Sequence, residues 1–218
     1  MTRTAAASTA TRRVGSSTSE RRARIVAAAE QLMIEQGYAS LTYRSIAAHA
    51  GATAGLVQYY FPTLDDLVVA ILADATERIL ADIDQAFASE HPLRALWAYA
   101  GDRTGAALIV EFMAAGNHRK RIWDTIGEGG ERIRRAQLAA LEAIWDRYDI
   151  HDREMPPAAL LFMLNAIGRM ARLEEAFGTH TGHREAIELV EQFLDRVEPR
   201  ARRAAAKRPT ERGRRASS

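Results

Sequence analysis

Gln58, Tyr59 and Tyr60 follow one another in a short helical stretch, and with Arg44 they are the side chains whose chemistry is easiest to name. A glutamine amide presents a donor beside an acceptor, the pair that matches N6 and N7 of adenine in the major groove of a duplex. Tyrosine hydroxyls and an arginine guanidinium can hydrogen-bond phosphate oxygens, contacts that position a protein on DNA without reading its sequence. The same residues also suit an ordinary helical hairpin with two half-buried tyrosines.

Catalytic chemistry has little to work with. His180 and His183 flank Thr181-Gly182, but loop histidines without a carboxylate at ligand spacing are usually just exposed, and His151-Asp152 is half of a hydrolase pair with no companion. The chain has no nucleophile elbow, no HExxH and no dinucleotide fingerprint. It has no cysteine, which removes disulfides, thiolate metal sites and cysteine nucleophiles together. The expectation is a protein that is not an enzyme and carries no metal and no cofactor. Arg119, Lys120 and Arg121 precede a glycine cluster at Gly127, Gly129 and Gly130, but Walker spacing and a preceding strand are both missing. The glycines read as a break or kink in a helix that could move with a ligand, and the basic triplet as a solvated face.

The elements that must position Gln58 are two short helices in LTYRSIAAHAGATAGLVQYYF. Thr42 can cap the first, Ile46, Ala47 and Ala50 give it an inward stripe, and Gly51 ends it. Thr53 can cap the second, and Pro62 stops it. Its small first positions, Ala54 and Gly55, let the backbone approach a nucleic acid closely. This is helix-turn-helix geometry, in which the second helix enters a major groove.

From about Glu20 to about Leu72 the chain resembles the DNA-binding domain of TetR-family transcriptional regulators. The likeness rests on an opening helix, ERRARIVAAAEQLMIEQGY, with Ile25, Ala28, Ala29, Leu32 and Met33 as its stripe and Gly37 as its stop. It continues through Leu41-Thr42, Ile46-Ala47, Ala50-Gly51, Tyr60-Phe61-Pro62 and Asp65-Asp66-Leu67. The resemblance implies that Thr42, Tyr43, Arg44, Thr53, Ala54, Gly55, Gln58, Tyr59 and Tyr60 meet DNA. Many family members carry a phosphate-contacting lysine where this chain has Leu64, so Arg44 and Arg21, Arg22 or Arg24 are the nearest replacements. Many also carry tyrosine where Gln58 stands, and Gln58 reads as a base-reading substitution.

Beyond this head the sequence reads helical almost to its end: about Leu64 past Phe87, Leu93 to Arg103, Ala106 to Ala115, His118 to Tyr148, Pro157 to Phe177, and Arg184 to Val197. No alternating segment is long enough for a strand. Together with the resemblance this predicts an all-α fold of about nine helices. The expected organisation is a disordered basic arm over 1–19, the helix-turn-helix domain over 20–66, an effector and dimerisation domain over 67–198, and a disordered basic tail over 199–218.

Charge follows this division. Residues 1–65 carry 7 Arg against 4 acidic side chains, residues 199–218 carry 8 basic against 1 acidic, and residues 66–198 carry 15 basic against 23 acidic. A negative body between positive ends should bind DNA only through the ends. No apolar run approaches the roughly 20 residues that span a bilayer, so no membrane partner and a cytoplasmic location are expected.

The last two helices carry more apolar residues than one core stripe needs: Leu160, Leu161, Met163, Leu164, Ile167, Met170 and Leu173, then Ile187, Val190, Phe193, Leu194 and Val197. Ala166, Gly168 and Ala171 allow close helix approach. The resemblance implies a homodimer through a four-helix bundle of these helices, and half-sites about one helical turn apart in a near-palindromic operator. It also implies a cavity for a small apolar or amphipathic effector. Phe87, Trp97, Leu108, Phe112, Met113, Trp123, Ile126, Ile144, Phe162 and Met163 are its expected lining, with Leu96, Leu141 and others near. Glu111, Asn117, His118, Asn165 and Arg169 are candidate buried polar groups. The function expected is a one-component regulator, most simply a repressor, that leaves operator DNA when the effector binds. The alternative is a helical interaction protein whose hairpin binds a protein partner.

Overall fold

Side-chain caps set most of the element boundaries. The computed structural model describes residues 5–148, 150 and 155–198, with side chains from residue 18 onward. Among these residues the chain is all-α, with nine α-helices, two short 3-10 turns and no strand. They are α1 (Ala5–Gln36), a 3-10 turn (Tyr38–Ser40), α2 (Tyr43–Ala50), α3 (Ala54–Tyr60), α4 (Leu64–Phe87), α5 (Pro92–Ala100), α6 (Arg103–Gly116), α7 (Lys120–Glu142), a second 3-10 turn (Trp145–Arg147), α8 (Pro157–Glu175) and α9 (His183–Val197).

Thr42 caps α2 in a reciprocal box with Ser45, and Thr53 caps α3 by accepting from the Leu56 N–H. Gly51 closes α2 at φ 61°, the left-handed conformation that favours glycine, and this sets the angle between the two helices. Thr63 and Asp66 form a second reciprocal box at the start of α4.

Two cores are stacked along α4. The first holds Ile25, Leu32 and Met33 of α1, Ile46 of α2, Val57 of α3, Leu67 and Ile71 of α4, and also Phe112 and Ile122 from α6 and α7. It therefore crosses the boundary expected at residue 66. The second holds Ile83 and Phe87 with Leu93, Leu96, Leu141, Trp145, Leu161, Leu164, Val190 and Leu194. Glu198, buried at the end of α9, closes this far end. Its carboxylate accepts from the Leu93 and Arg94 N–H groups at the start of α5, at 2.9 and 3.0 Å, and from the Tyr148 hydroxyl at 2.5 Å.

Two expectations change, and two others fall outside the described residues. Residues 5–19, expected to be disordered, continue α1 as helix, consistent with an alanine-rich stretch that has no proline. The tail 199–218 and His151-Asp152 lie outside the described residues. No break occurs at Gly127, Gly129 and Gly130, which sit inside the continuous α7. A Cβ on Gly129 would stand 2.7 Å from Oγ1 of Thr76, so that glycine lets α7 pack closely on α4. The helix ends at Glu142, and a 3-10 turn at Trp145–Arg147 follows.

Candidate nucleic-acid interface and effector cavity

On α3, Val57 is wholly buried, and this fixes which face looks outward. Gln58 is exposed, Tyr59 is 76% exposed, and Tyr60 is half-buried with its ring edge-on to Tyr59 at 5.4 Å. Gly55 is exposed with open space where a Cβ would be, and Ala54 is half-buried. Thr42, Arg44 and Thr53 are exposed alongside. These residues therefore share an accessible surface of amide, hydroxyl and guanidinium groups, suited to base edges and phosphates. Arg21, Arg22 and Arg24 are exposed on α1, with Arg22 stacked over the Phe61 ring at 5.0 Å. Leu64 is half-buried against the first core.

Tyr43 departs from the expected role. Its hydroxyl points at the Phe61 and Pro62 carbonyls, at 3.2 and 2.8 Å. A phosphate oxygen needs a donor, and this proton is already engaged in tying α2 to the end of α3. Tyr43 therefore locks the hairpin.

The head is joined to the rest by charge. Asp65 and Asp66, in the first turn of α4, pair with Arg119, at 3.3 Å, and with Arg121. Lys120 pairs with Asp124 at 2.6 Å, so each member of the basic triplet has an acidic partner. The Asp66 carboxyl is held below its ordinary value, first by the Thr63 hydroxyl and then by Arg121. Glu111 of α6 accepts the Tyr38 N–H at 2.5 Å, and Arg119 lies over the Tyr38 ring at 5.2 Å. Glu111 thus fastens the α1–α2 turn instead of facing a ligand. Asn117 and His118 are exposed in the α6–α7 joint, where His118 has φ 68°.

A cavity of about 530 Å³ lies between α4, α6, α7 and α8. Of the expected lining, Leu108, Phe112, Ile126 and Phe162 face it, as do Asn165 and Arg169. Phe87, Trp97 and Ile144 do not: they pack in the second core, where the Trp97 Nε1–H donates to Glu191 at 2.9 Å. Met113, Trp123 and Met163 also stay outside it, at 48%, 51% and 43% exposed, with the Trp123 ring over Gly116. Sequence reasoning missed Leu72, Thr76 and Ile79 of α4, Tyr99, Arg134 and Gln137. An inward polar residue among apolar neighbours was the only available signal for Thr76 and Gln137. Burial pushes the Tyr99 hydroxyl above its ordinary value, against the opposing effect of Arg169.

Among the described residues no group of His, Asp and Glu could hold a metal, and no single helix is long and apolar enough to cross a membrane. His183 pairs with Glu174 at 2.6 Å, and His180 is exposed.

A capped helix-turn-helix with its second helix bare, mounted on a helical body with an internal cavity, defines a DNA-binding transcriptional regulator. Residues 25–71 match the family model described as bacterial regulatory proteins, tetR family. The chain belongs to the TetR family. It is 34% identical over 85 residues to the HTH-type transcriptional regulator HbdR of Aromatoleum sp. (strain CIB), a match spanning 37% of each protein. Among solved structures it is similar to the multidrug binding protein EbrR in complex with imidazole, with 30% identity, TM-score 0.53, and 84% of this chain and 98% of that one covered. It also shares the fold of a TetR transcription regulator from Haloarcula marismortui ATCC 43049, with 20% identity, TM-score 0.63, and 82% and 98% covered.

Proposed function

We propose that the protein is a repressor that binds a near-palindromic operator as a homodimer and is released when a small apolar or amphipathic molecule fills the cavity. The observation that carries this reading is the double duty of α4. Leu72, Ala75, Thr76 and Ile79 form one cavity wall, while the same helix begins at Leu64, eight residues before Leu72, against the end of the recognition hairpin. A ligand that displaces the wall displaces the head.

Gln58 reads a base, while Arg44 and the exposed arginines of α1 supply phosphate contacts in place of the missing cation at Leu64. Dimerisation uses α8 and α9. Phe162, Met170, Phe177 and Leu189 are 60%, 51%, 67% and 67% exposed, which is uncommon for large apolar side chains of a monomer. Gly168 takes no part in that contact, since it packs on Ala100 of α5 in its own subunit. EbrR, which is 26% identical where its structure contains ethidium, supports an effector role for the helical body.

The test is footprinting of the full chain on DNA flanking its own gene, with molar mass measured by light scattering. The reading expects a protected, two-fold symmetric site, a mass of two chains, and affinity that falls steeply with salt. A monomer that shifts no fragment at any salt concentration but captures a protein partner through α3 would favour the interaction-protein reading instead.

A further inference from the structure

The cavity is apolar along α4 and α6, and its charged lining is two arginines, Arg134 and Arg169, and two acids, Asp102 and Glu131. Arg134 of α7 and Arg169 of α8 both line it, and neither forms an ion pair among the described residues. Neither lining acid pairs with these arginines: Glu131 meets Arg135 at 2.7 Å, and Asp102 accepts the Gly105 N–H at 2.6 Å as the cap of α6. Arg134 lies over the Phe162 ring at 5.5 Å, which holds its guanidinium at the lip of the cavity. Arg169 hydrogen-bonds the Tyr99 hydroxyl, and Arg134 acts on that hydroxyl more weakly.

A second observation is independent of these charges. Gln137 is only 4% exposed, lines the same cavity, and has no hydrogen-bond partner among the described residues. The Gln137 amide and two half-buried guanidiniums that lack an ion-pair partner present hydrogen-bond donors to the cavity. One acceptor with two oxygens can meet all three. The setting sharpens the point, because residues 66–198 carry 23 acidic against 15 basic side chains, so two lining arginines without an acidic partner are not a general property of this body.

We propose that the effector is an amphipathic carboxylate whose hydrocarbon or aromatic body lies among Leu72, Ile79, Leu108 and Phe112 while its carboxylate meets Arg134, Arg169 and Gln137. The planar fork of a guanidinium fits a carboxylate through two parallel hydrogen bonds. The proposal rests on the effector reading of this cavity and adds the chemical class. It makes Arg134 and Arg169 the residues that separate anions from neutral and cationic molecules of the same shape.

The experiment uses the full chain and two matched probe sets, octanoate with octanol and octylammonium, and naphthoate with naphthol and naphthylmethylammonium. Binding is measured by calorimetry, and operator occupancy is followed in the same buffer. In at least one set the carboxylate is expected to bind tenfold or more tighter than its alcohol, with the ammonium weakest. R134Q/R169Q, checked for an unchanged thermal melt, should lose that tenfold preference, whereas R132Q, whose partner is Glu77 outside the cavity, should keep it. The wild-type probe series reads the preference even where the double variant does not fold. The proposal is overturned if neither carboxylate binds, if the alcohol or ammonium binds as tightly, or if R134Q/R169Q keeps the preference. Failure of the regulatory reading looks different: the probe-free protein then protects no DNA, whatever the carboxylate does.

Discussion

Gln58 and Arg44 lie on the same exposed surface but are expected to contribute differently. A bidentate amide pair discriminates one base from another, whereas a guanidinium on a phosphate binds every sequence alike and releases a counter-ion. Gln58→Ala should therefore narrow the gap between the operator and a site substituted at one position per half-site by about 1–3 kcal/mol, while leaving binding to random DNA unchanged. Arg44→Ala should weaken operator and random DNA together and reduce the slope of log affinity against log salt by about one per subunit. Titrations of both variants against both DNAs at several salt concentrations separate the two roles. A uniform loss in Gln58→Ala would remove its assignment as a base reader. Tyr43 shows how a chemically plausible group can be engaged elsewhere: its hydroxyl is tied to carbonyls 18 and 19 residues away, a partnership no local pattern discloses.

At the scale of elements, the head was legible because its signals are local. Thr42, Gly51, Thr53 and Pro62 each act within one turn of chain, and each bounds a helix where such a residue should. The cavity was harder to read. Helical periodicity says which face of a helix turns inward but not which neighbour it meets, so Phe87, Trp97 and Ile144 turn inward as expected but pack in the second core and not along the cavity. Gly129 misled for a related reason: propensity counts a mid-helix glycine as a weakness, while the contact with Thr76 requires it. The joint at α4 is also longer in range than sequence patterns reach, since Asp66 combines a local cap with an arginine from α7. Its carboxyl titrates below the ordinary 3.8, so its contribution to stability is present above that value and lost as pH falls through the lower, folded one. Urea melts between pH 6 and pH 3 should therefore show a shallower acid decline in Asp66→Asn than in the wild type, with the variant less stable at pH 6. Equal declines in the two proteins would mean that the cap and the Arg121 pair carry no proton linkage.

For the whole molecule, the question is how a filled cavity reaches DNA. Several ties cross from the body to the head: Arg119 and Arg121 at the start of α7 to Asp65 and Asp66 of α4, and Glu111 of α6 to the Tyr38 N–H. Both α6 and α7 also line the cavity, so on the proposed reading a ligand that separates them from α4 pulls on these ties together. Coupling of this kind is worth about 1–3 kcal/mol, a change in operator affinity of roughly 5- to 150-fold. Arg121→Ala lies outside the cavity and outside the DNA face, so it should leave both separate affinities within about threefold while reducing the coupling between them. Because the chain has no cysteine, a single Ala48→Cys on the exposed side of α2 can carry a spin label that reports the distance between the two heads of a dimer. In the wild type that distance should shift when effector saturates the protein, and in Arg121→Ala the shift should shrink along with the loss of DNA affinity. If the variant is released from operator as fully as the wild type, with the same change in distance, the signal travels along the length of α4 itself and the salt bridge only fastens the head in place.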